Sequence, residues 1–368
     1  MNFNRDKAFN SLPLLPPEAD IETKPIMRQL VKASRELAEL KNAGNLIPNQ
    51  AVLINTIPLI EAQGSSEIEN IVTTTDKLFR LSSKESEKAD PATKEALQYR
   101  TALRQGYEEL RNRPINTNTA IRICTTIRNI DMDIRKTPGA KLRDRATGEI
   151  MYTPPEGETS IREKLANWER FANESVEIDP LIRMAVMHYQ FEAIHPFTDG
   201  NGRTGRILNI LFLIQQGLLD IPVLYLSRYF LKKRSDYYNL IRGVTERQEW
   251  ESWILFMLDA VEQTARWTSQ KIFAIHEMFT RTCDYLKNRS SIYSRELVET
   301  IFIQPYCRIE NLVNAGIAKR QTASEYLKFL VRFDILKEEK HGREKLFINP
   351  AFLKLLTTDK NEIERYFK

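Results

Sequence analysis

The chain predicts a mainly all-α fold, and three observations carry that prediction. Apolar residues recur three and four positions apart through most of the stretch from Pro25 to Phe333, the pattern of one-faced helices. The boundaries carry helix punctuation, with Asp179-Pro180 as a start and Gly44 and Gly217 as stops. Strand-like alternation is confined to two short places, Glu149–Pro155 and Ile335–Phe347.

Taken in order, residues 1–24 hold Pro13, Pro16 and Pro17 with little periodicity, and predict an extended arm lying on the body. Ile26, Leu30, Ala33, Leu37 and Leu40 then line one side of a helix that Gly44 stops. Residues 51–63 are apolar around Pro58, which should kink or break a helix there because proline lacks the N–H and crowds the preceding turn. Ser66 with Glu69 three positions later matches a capping box, so a helix start is expected at 65–70. Two helical patterns flank Asn112-Arg113-Pro114, and a basic loop over 136–148 leads into a short hairpin whose exposed edge is closed by Pro154-Pro155. Leu181, Met184, Ala185, His188 and Phe191 share one face of a helix that delivers His195. Arg206–Ile214 is apolar on nearly every side, as a buried helix is. Another helix follows at Leu231–Tyr238, a buried one over Glu249–Trp267, and a charged linker helix over 269–290. Residues 291–368 read as helix, turn, helix and charged hairpin turning at His341-Gly342, which resembles a small winged helix-turn-helix domain.

Between two of these helices lies His195-Pro-Phe-Thr-Asp-Gly-Asn-Gly-Arg-Thr-Gly-Arg206, a mixture that packing does not explain. Gly200, Gly202 and Gly205 allow left-handed backbone and close approach, and the first turn of the next helix aims free N–H groups at the same point. That makes an anion nest. Arg203 and Arg206, three apart, share a helix face and can fork onto phosphate oxygens. Asp199 is a hard oxygen ligand suited to a Mg²⁺ that keeps most of its waters, and His195 is a base with a near-neutral ordinary pKa. Together these groups suit attack by an alcohol on a nucleotide phosphate.

The twelve residues resemble the signature of the Fic family (filamentation induced by cAMP), HxFx[DE]GNGRxxR, with every fixed position met. The resemblance implies that His195 deprotonates a protein hydroxyl, that Phe197 anchors the loop, and that Asp199 holds Mg²⁺ on ATP. It implies an ATP site of Gly200, Asn201, Gly202, Arg203, Thr204, Gly205 and Arg206, with Arg203 on the β-phosphate and Arg206 on the γ-phosphate. Tyr237-Tyr238 would line the adenine pocket. The phosphorylating branch has Lys where this chain has Gly202, so AMP transfer to Ser, Thr or Tyr with release of pyrophosphate is the implied reaction. Ser65, Glu69 and Asn70 match the family's inhibitory motif, [ST]xxxE[GN], and Glu69 would occupy the arginine that the γ-phosphate needs. Ile150, Met151 and Tyr152 correspond to the flap that grips the target's main chain. The domains implied are an N-terminal helical region over 1–110 with an inhibitory helix near 65–70, a Fic core over 111–268, the linker over 269–290, and the winged domain.

Bulk properties bound the alternatives. With 368 residues, 42% of them hydrophobic, two or three domains are expected, and a charged fraction of 28% with net charge +5 is ordinary. Cys124, Cys283 and Cys307 are odd in number and widely separated, so reduced thiols and a cytoplasmic setting are expected. Met1–Asp6 has no apolar signal core and nowhere do eighteen apolar residues run together, so no membrane partner is expected. The partners expected are a protein substrate, self-modification included, a homodimer mate by family habit, and DNA through Arg320, Gln321, Ser324 and Lys328 with Arg343 and Lys345 on the wing. Two other functions stand beside the transferase: a DNA-binding regulator whose core only senses nucleotide, and a bifunctional enzyme that also removes AMP.

Overall fold

The computed structural model describes residues 3–47, 49–82, 89–143, 147–341 and 344–363. The fold is mainly helical. Its elements, in order, are α1 (Lys24–Gly44), α2 (Ala51–Ile68), α3 (Thr75–Leu81), α4 (Pro91–Glu109), α5 (Thr117–Arg128), β1 (Leu142–Arg143) and β2 (Ile150–Tyr152). There follow α6 (Glu158–Glu174), α7 (Pro180–Ile194), α8 (Asn201–Gln215), α9 (Leu226–Lys232), α10 (Arg234–Arg247) and α11 (Trp250–Arg289). The last are α12 (Arg295–Phe302), β3 (Tyr306–Cys307), α13 (Ile309–Asn314), α14 (Arg320–Arg332), β4 (Lys337–His341), β5 (Glu344–Ile348) and α15 (Pro350–Thr357).

The centre is the antiparallel pair α7 and α8, both buried almost all round because both are apolar on almost every side. Asp179 caps α7 by accepting from the Leu181 N–H at 2.8 Å, with Pro180 at the first helical position. Helices α2, α4 and α5 pack around α8, while α6, α11 and α1 pack around α7. The Trp253 indole of α11 donates to the Ala185 carbonyl of α7 at 2.8 Å. The N-terminal arm does lie on the body: Phe9, Leu12 and Leu15 are buried, and Lys164, Asn167 and Gln190 donate to the carbonyls of Leu12, Leu15 and Pro13 at 2.8–2.9 Å.

Three expectations are corrected. Helix α2 runs unbroken through Pro58. The Thr56 hydroxyl donates to the Val52 carbonyl and the Asn55 amide to the Ala51 carbonyl, each at 2.7 Å, and the apolar flanks of the proline are buried, so tertiary packing outweighs the missing hydrogen bond. Residues 65–70 end a helix rather than begin one. Ser65–Ile68 form the last turn of α2, Glu69 is its C-cap, and Asn70 turns the chain with φ 62°. The charged linker over 269–290 is no separate helix but the second half of the 40-residue α11. One stripe of it, Ile272, Ile275, Met278 and Leu286, is buried, which charge counting alone could not reveal.

Beyond α11, the three-stranded sheet has the order β3-β5-β4, antiparallel throughout, and β4 pairs with β5 from Lys337–Ile348 to His341–Glu344. Gly342, and Arg343 on the expected wing, lie outside the described residues. This segment docks on the N-terminal helices. The Tyr306 hydroxyl donates to Asp76 of α3, Ser82 to Gln304, and the buried Lys271 ammonium of α11 to the carbonyls of Leu355, Thr358 and Lys360 around the end of α15. No helix among the described residues is long and apolar enough to cross a membrane.

Candidate active site

Helix α7 ends at His195, whose φ of 49° turns the chain sharply toward α8. Arg135, itself buried, holds that turn: its backbone N–H donates to the Pro196 carbonyl at 2.9 Å, its Nε to the His195 carbonyl at 2.8 Å, and its Nη2 to the carbonyls of Ile194 and Pro155. Phe197 is fully buried. The Asn201 side chain staples the loop, its Oδ1 accepting from the Phe197 N–H and its Nδ2 donating to the Phe197 carbonyl, both at 2.8 Å. That side chain is therefore engaged inside the loop, where it fixes the turn.

Gly200, with φ 84°, caps α8 and leaves the first-turn N–H groups of that helix pointing out of its end. A Cβ on Gly202 would lie 2.5 Å from Glu69 Oε1 and 3.0 Å from Arg206 Nη1, so a carboxylate oxygen sits over this helix end in space that only glycine leaves open. An anionic group fits there, because the positive dipole end and the free N–H groups favour one. Arg206, buried to 1% exposure, donates from Nε to the Ser65 hydroxyl at 2.8 Å and from Nη2 to the Ser65 carbonyl at 3.0 Å and Glu69 Oε1 at 2.9 Å. Asn70 accepts from Arg234 at 2.9 Å. The three residues of the inhibitory signature thus stand at the end of α2, with Ser65 and Glu69 on Arg206.

The electrostatics follow from burial. Desolvation, aided by the Arg135 charge, pushes the His195 imidazole down to about 4, with the Glu192 carbonyl and the charges of Glu69 and Asp199 working against it, so the ring is neutral at pH 7. Burial works against a charged Arg206, but Glu69 and the other acidic neighbours outweigh it and raise its pKa above the ordinary arginine value. Burial lifts the Glu192 carboxyl to about 7. Asp199 projects at the mouth with its side chain 55% exposed, Oδ1 accepting from the Gly200 N–H at 2.6 Å and Oδ2 lying 3.0 Å from Arg128 Nη1. Among the described residues no cluster of three or more His, Cys, Asp or Glu could hold a metal. A magnesium ion bound chiefly by phosphates and water needs only one such hard oxygen, and Asp199 fits that need.

Not every expected residue faces this mouth. Thr204 is buried, and a Cβ on Gly205 would lie 2.8 Å from Glu192 Oε1 and 3.3 Å from Phe191, so Gly205 serves the close packing of α7 on α8. Tyr237 is buried with its hydroxyl 2.8 Å from His188 Nε2, whereas Tyr238 is 44% exposed. Strands β1 and β2 form the hairpin, in which Ile150, Met151 and Tyr152 are half-buried. Tyr152 turns inward, donating to the Ala193 carbonyl at 2.8 Å and stacking on Phe3. Glu95, Arg128, Arg135 and Glu192 belong to the site but were not singled out from the sequence. Only Glu192, a carboxylate in the otherwise apolar Phe191–Ile194 run, left a signal there.

The family comparisons agree with this geometry. Residues 27–108 match the Fic/DOC family N-terminal model, residues 115–213 the Fic/DOC family model, and residues 278–352 that of the protein adenylyltransferase SoFic-like C-terminal domain. Among curated proteins, the chain is 40% identical over 76 residues to a probable protein adenylyltransferase of Aquifex aeolicus (strain VF5), a match covering 21% of this chain and 23% of that one. It is 36% identical over 74 residues to protein adenylyltransferase fic-1 of Caenorhabditis briggsae, covering 19% and 15%. The chain thus spans less than a quarter of the length of either relative. A solved Fic family protein from Desulfovibrio desulfuricans G20 shares the fold with a TM-score of 0.54 at 17% identity, covering 90% of this chain and 98% of that one. With two Fic/DOC models, a third for the segment that follows, and the complete signature on the turn between α7 and α8, the chain belongs to the Fic/DOC family.

Proposed function

We propose that this protein transfers AMP from ATP to a Ser, Thr or Tyr hydroxyl of a protein, releasing pyrophosphate, and that Glu69 restrains it by holding Arg206. One observation carries the reading. A neutral imidazole and a helix-end anion nest share a twelve-residue turn, and a carboxylate of the same chain already sits on the nest's arginine.

In the transfer, His195 Nε2 takes the proton of the target hydroxyl, whose oxygen bonds to the α-phosphorus. The bond from that phosphorus to the bridging oxygen breaks, and the electron pair leaves with pyrophosphate. The N–H groups at the start of α8 and the side chains of Arg203 and Arg206 orient the triphosphate and offset its charge. Asp199 would hold Mg²⁺, which when bound neutralises phosphate charge. With Glu69 on Arg206, the γ-phosphate lacks its partner and the α-phosphorus is misaligned. A misplacement of about 1 Å can cost on the order of a hundredfold in rate. Ile150 and Met151 are the flap residues left to dock the target, and Tyr238 the ring left to meet adenine. Arg135 and the neutral state of His195 favour an enzyme over a nucleotide sensor, which has no use for a base.

The helices and three-stranded sheet beyond α11 serve, on this reading, as a winged-helix accessory. Arg320, Gln321 and Lys328 are exposed and Ser324 is half-buried on α14, yet Lys345 pairs with Glu338 and Lys337 with Glu339, which neutralises the described part of the wing. Retention on random duplex DNA that weakens with salt would establish a DNA role for this surface. The scattered cysteines favour a cytoplasmic setting, and family resemblance favours a homodimer.

The test is the Glu69→Gly protein with ATP and Mg²⁺, followed by intact mass and by labelled AMP on added proteins. Label incorporated by this variant, reduced about a hundredfold in the parent chain and abolished by adding His195→Ala, is the expected result. No label on the variant itself or on any added protein overturns the proposal.

A further inference from the structure

Four charged side chains from three helices and a loop close into a ring beside the nest. Arg128 at the end of α5 lies 3.0 Å from Asp199 Oδ2 and 2.5 Å from Glu95 Oε1 of α4. Arg203 of α8 donates through Nη1 to that same Glu95 oxygen, and its Nη2 lies 3.5 Å from Asp199 Oδ1. Charges alternate around the circuit, two carboxylates and two guanidiniums.

The distances are unequal, and the inequality is informative. Arg203 lies in the first turn of α8, four residues after Asp199 in the loop that precedes it, close enough for the two to pair directly. Arg203 is also buried to 2% exposure, so it needs a carboxylate close by. Yet its contact with Glu95 is the short one and that with Asp199 the long one. Glu95 therefore draws the guanidinium back from Asp199, whose carboxylate stays 55% exposed at the mouth.

We infer that Glu95 is a positioning residue of the nucleotide site, keeping Arg203 from closing onto Asp199 so that Arg203 can meet phosphate while Asp199 meets a divalent cation. Arg128 is its counterpart. It neutralises Asp199 in the free enzyme, shares Glu95 with Arg203, and must yield Asp199 to a metal. This rests on the nucleotide-binding reading above and adds two residues that the twelve-residue signature does not contain.

The ring predicts opposite signs for its two outer members. In the Glu69→Gly background, calorimetry measures ATP affinity with and without Mg²⁺, a binding readout independent of AMP transfer. Glu95→Gln frees Arg203 to pair with Asp199, so ATP affinity falls at least tenfold and the gain conferred by Mg²⁺ disappears. Glu95→Asp restores part of both. Arg128→Gln leaves Glu95 on Arg203 and opens Asp199, so the Mg²⁺-dependent gain is kept or enlarged. If Glu95→Gln is too unstable to measure, the sign for Arg128→Gln decides. ATP affinity unchanged or raised in Glu95→Gln, which would make Glu95 a second brake, overturns the inference, as does loss of the Mg²⁺ gain in Arg128→Gln. If the Glu69→Gly protein binds no ATP at all, the nucleotide reading itself fails, and this inference with it.

Discussion

Arg206 is a buried cation satisfied by Ser65 and Glu69, and on the proposed function by substrate in turn, and the residues around it differ in what they can lose. Replacing Glu69 by Gly leaves the guanidinium its two Ser65 contacts, so the cost is about 1–3 kcal/mol. Arg206→Ala removes the buried member of the ion pair together with both Ser65 contacts and costs about 3–5 kcal/mol; denaturant melts of the two variants check the order. Gly202→Ala drives a methyl group to within 2.5 Å of Glu69 Oε1, a flexible side-chain end that can move away. The methyl group then occupies the phosphate cradle, so Gly202→Ala added to Glu69→Gly lowers labelled AMP transfer at least about tenfold, the value of roughly 1.4 kcal/mol in the transition state. Because burial holds His195 near 4, its imidazole is a competent base well below pH 6.5. The kcat/KM profile of Glu69→Gly should stay flat down to about pH 5 and fall only as pH nears 4. At this scale the sequence was most legible between His195 and Arg206, where local spacing forces neighbours together. Glu95, Arg128 and Arg135 were illegible because their partners lie 20 or more positions away, and no periodicity marks such pairs.

The elements add what single residues lack, a rigid carrier for the carboxylate that pairs with Arg206. Helix α2 is tied down in its middle by Glu61, which accepts from Tyr99 at 3.0 Å and from the Ser227 hydroxyl and N–H at 2.5 and 3.0 Å. Burial pushes the Glu61 carboxyl up to about 7. The folded protein therefore keeps a proton that the unfolded chain gives up near 4.5. Stability from this group is full below that value and lost as pH rises through 7. Glu61→Gln cannot titrate, so the stability of the parent relative to this variant should fall by about 1–3 kcal/mol between pH 5 and pH 8, read from thermal melts across that range. Helix positions were broadly legible because their faces are periodic. Their ends were less so: Ser66 and Glu69 fit a start signal that the preceding apolar turn overrode, and Pro58 failed to break a helix held by burial on both sides.

Across the whole molecule, α11 joins the central pair α7 and α8 to the C-terminal segment, at about 60 Å from end to end. Trp253 near its start bonds α7, and Lys271 near its middle gathers three carbonyls around the end of α15. Lys271→Met leaves those acceptors without their donor and should lower stability by about 1–3 kcal/mol, detected as an earlier melting transition. Which surfaces meet was the least legible feature. A helical pattern says which face is apolar but not which partner covers it, so the seating of the Tyr306 and Asp359 regions on α3, α9 and α11 emerged only in three dimensions. The pairing of Glu69 with Arg206 spans 137 positions of one chain. A contact between two parts of one molecule has a local concentration set by the fold and not by the test tube. Diluting the protein a thousandfold leaves that contact untouched, so on the proposed function relief of the restraint must come from something that competes for the arginine or shifts the end of α2.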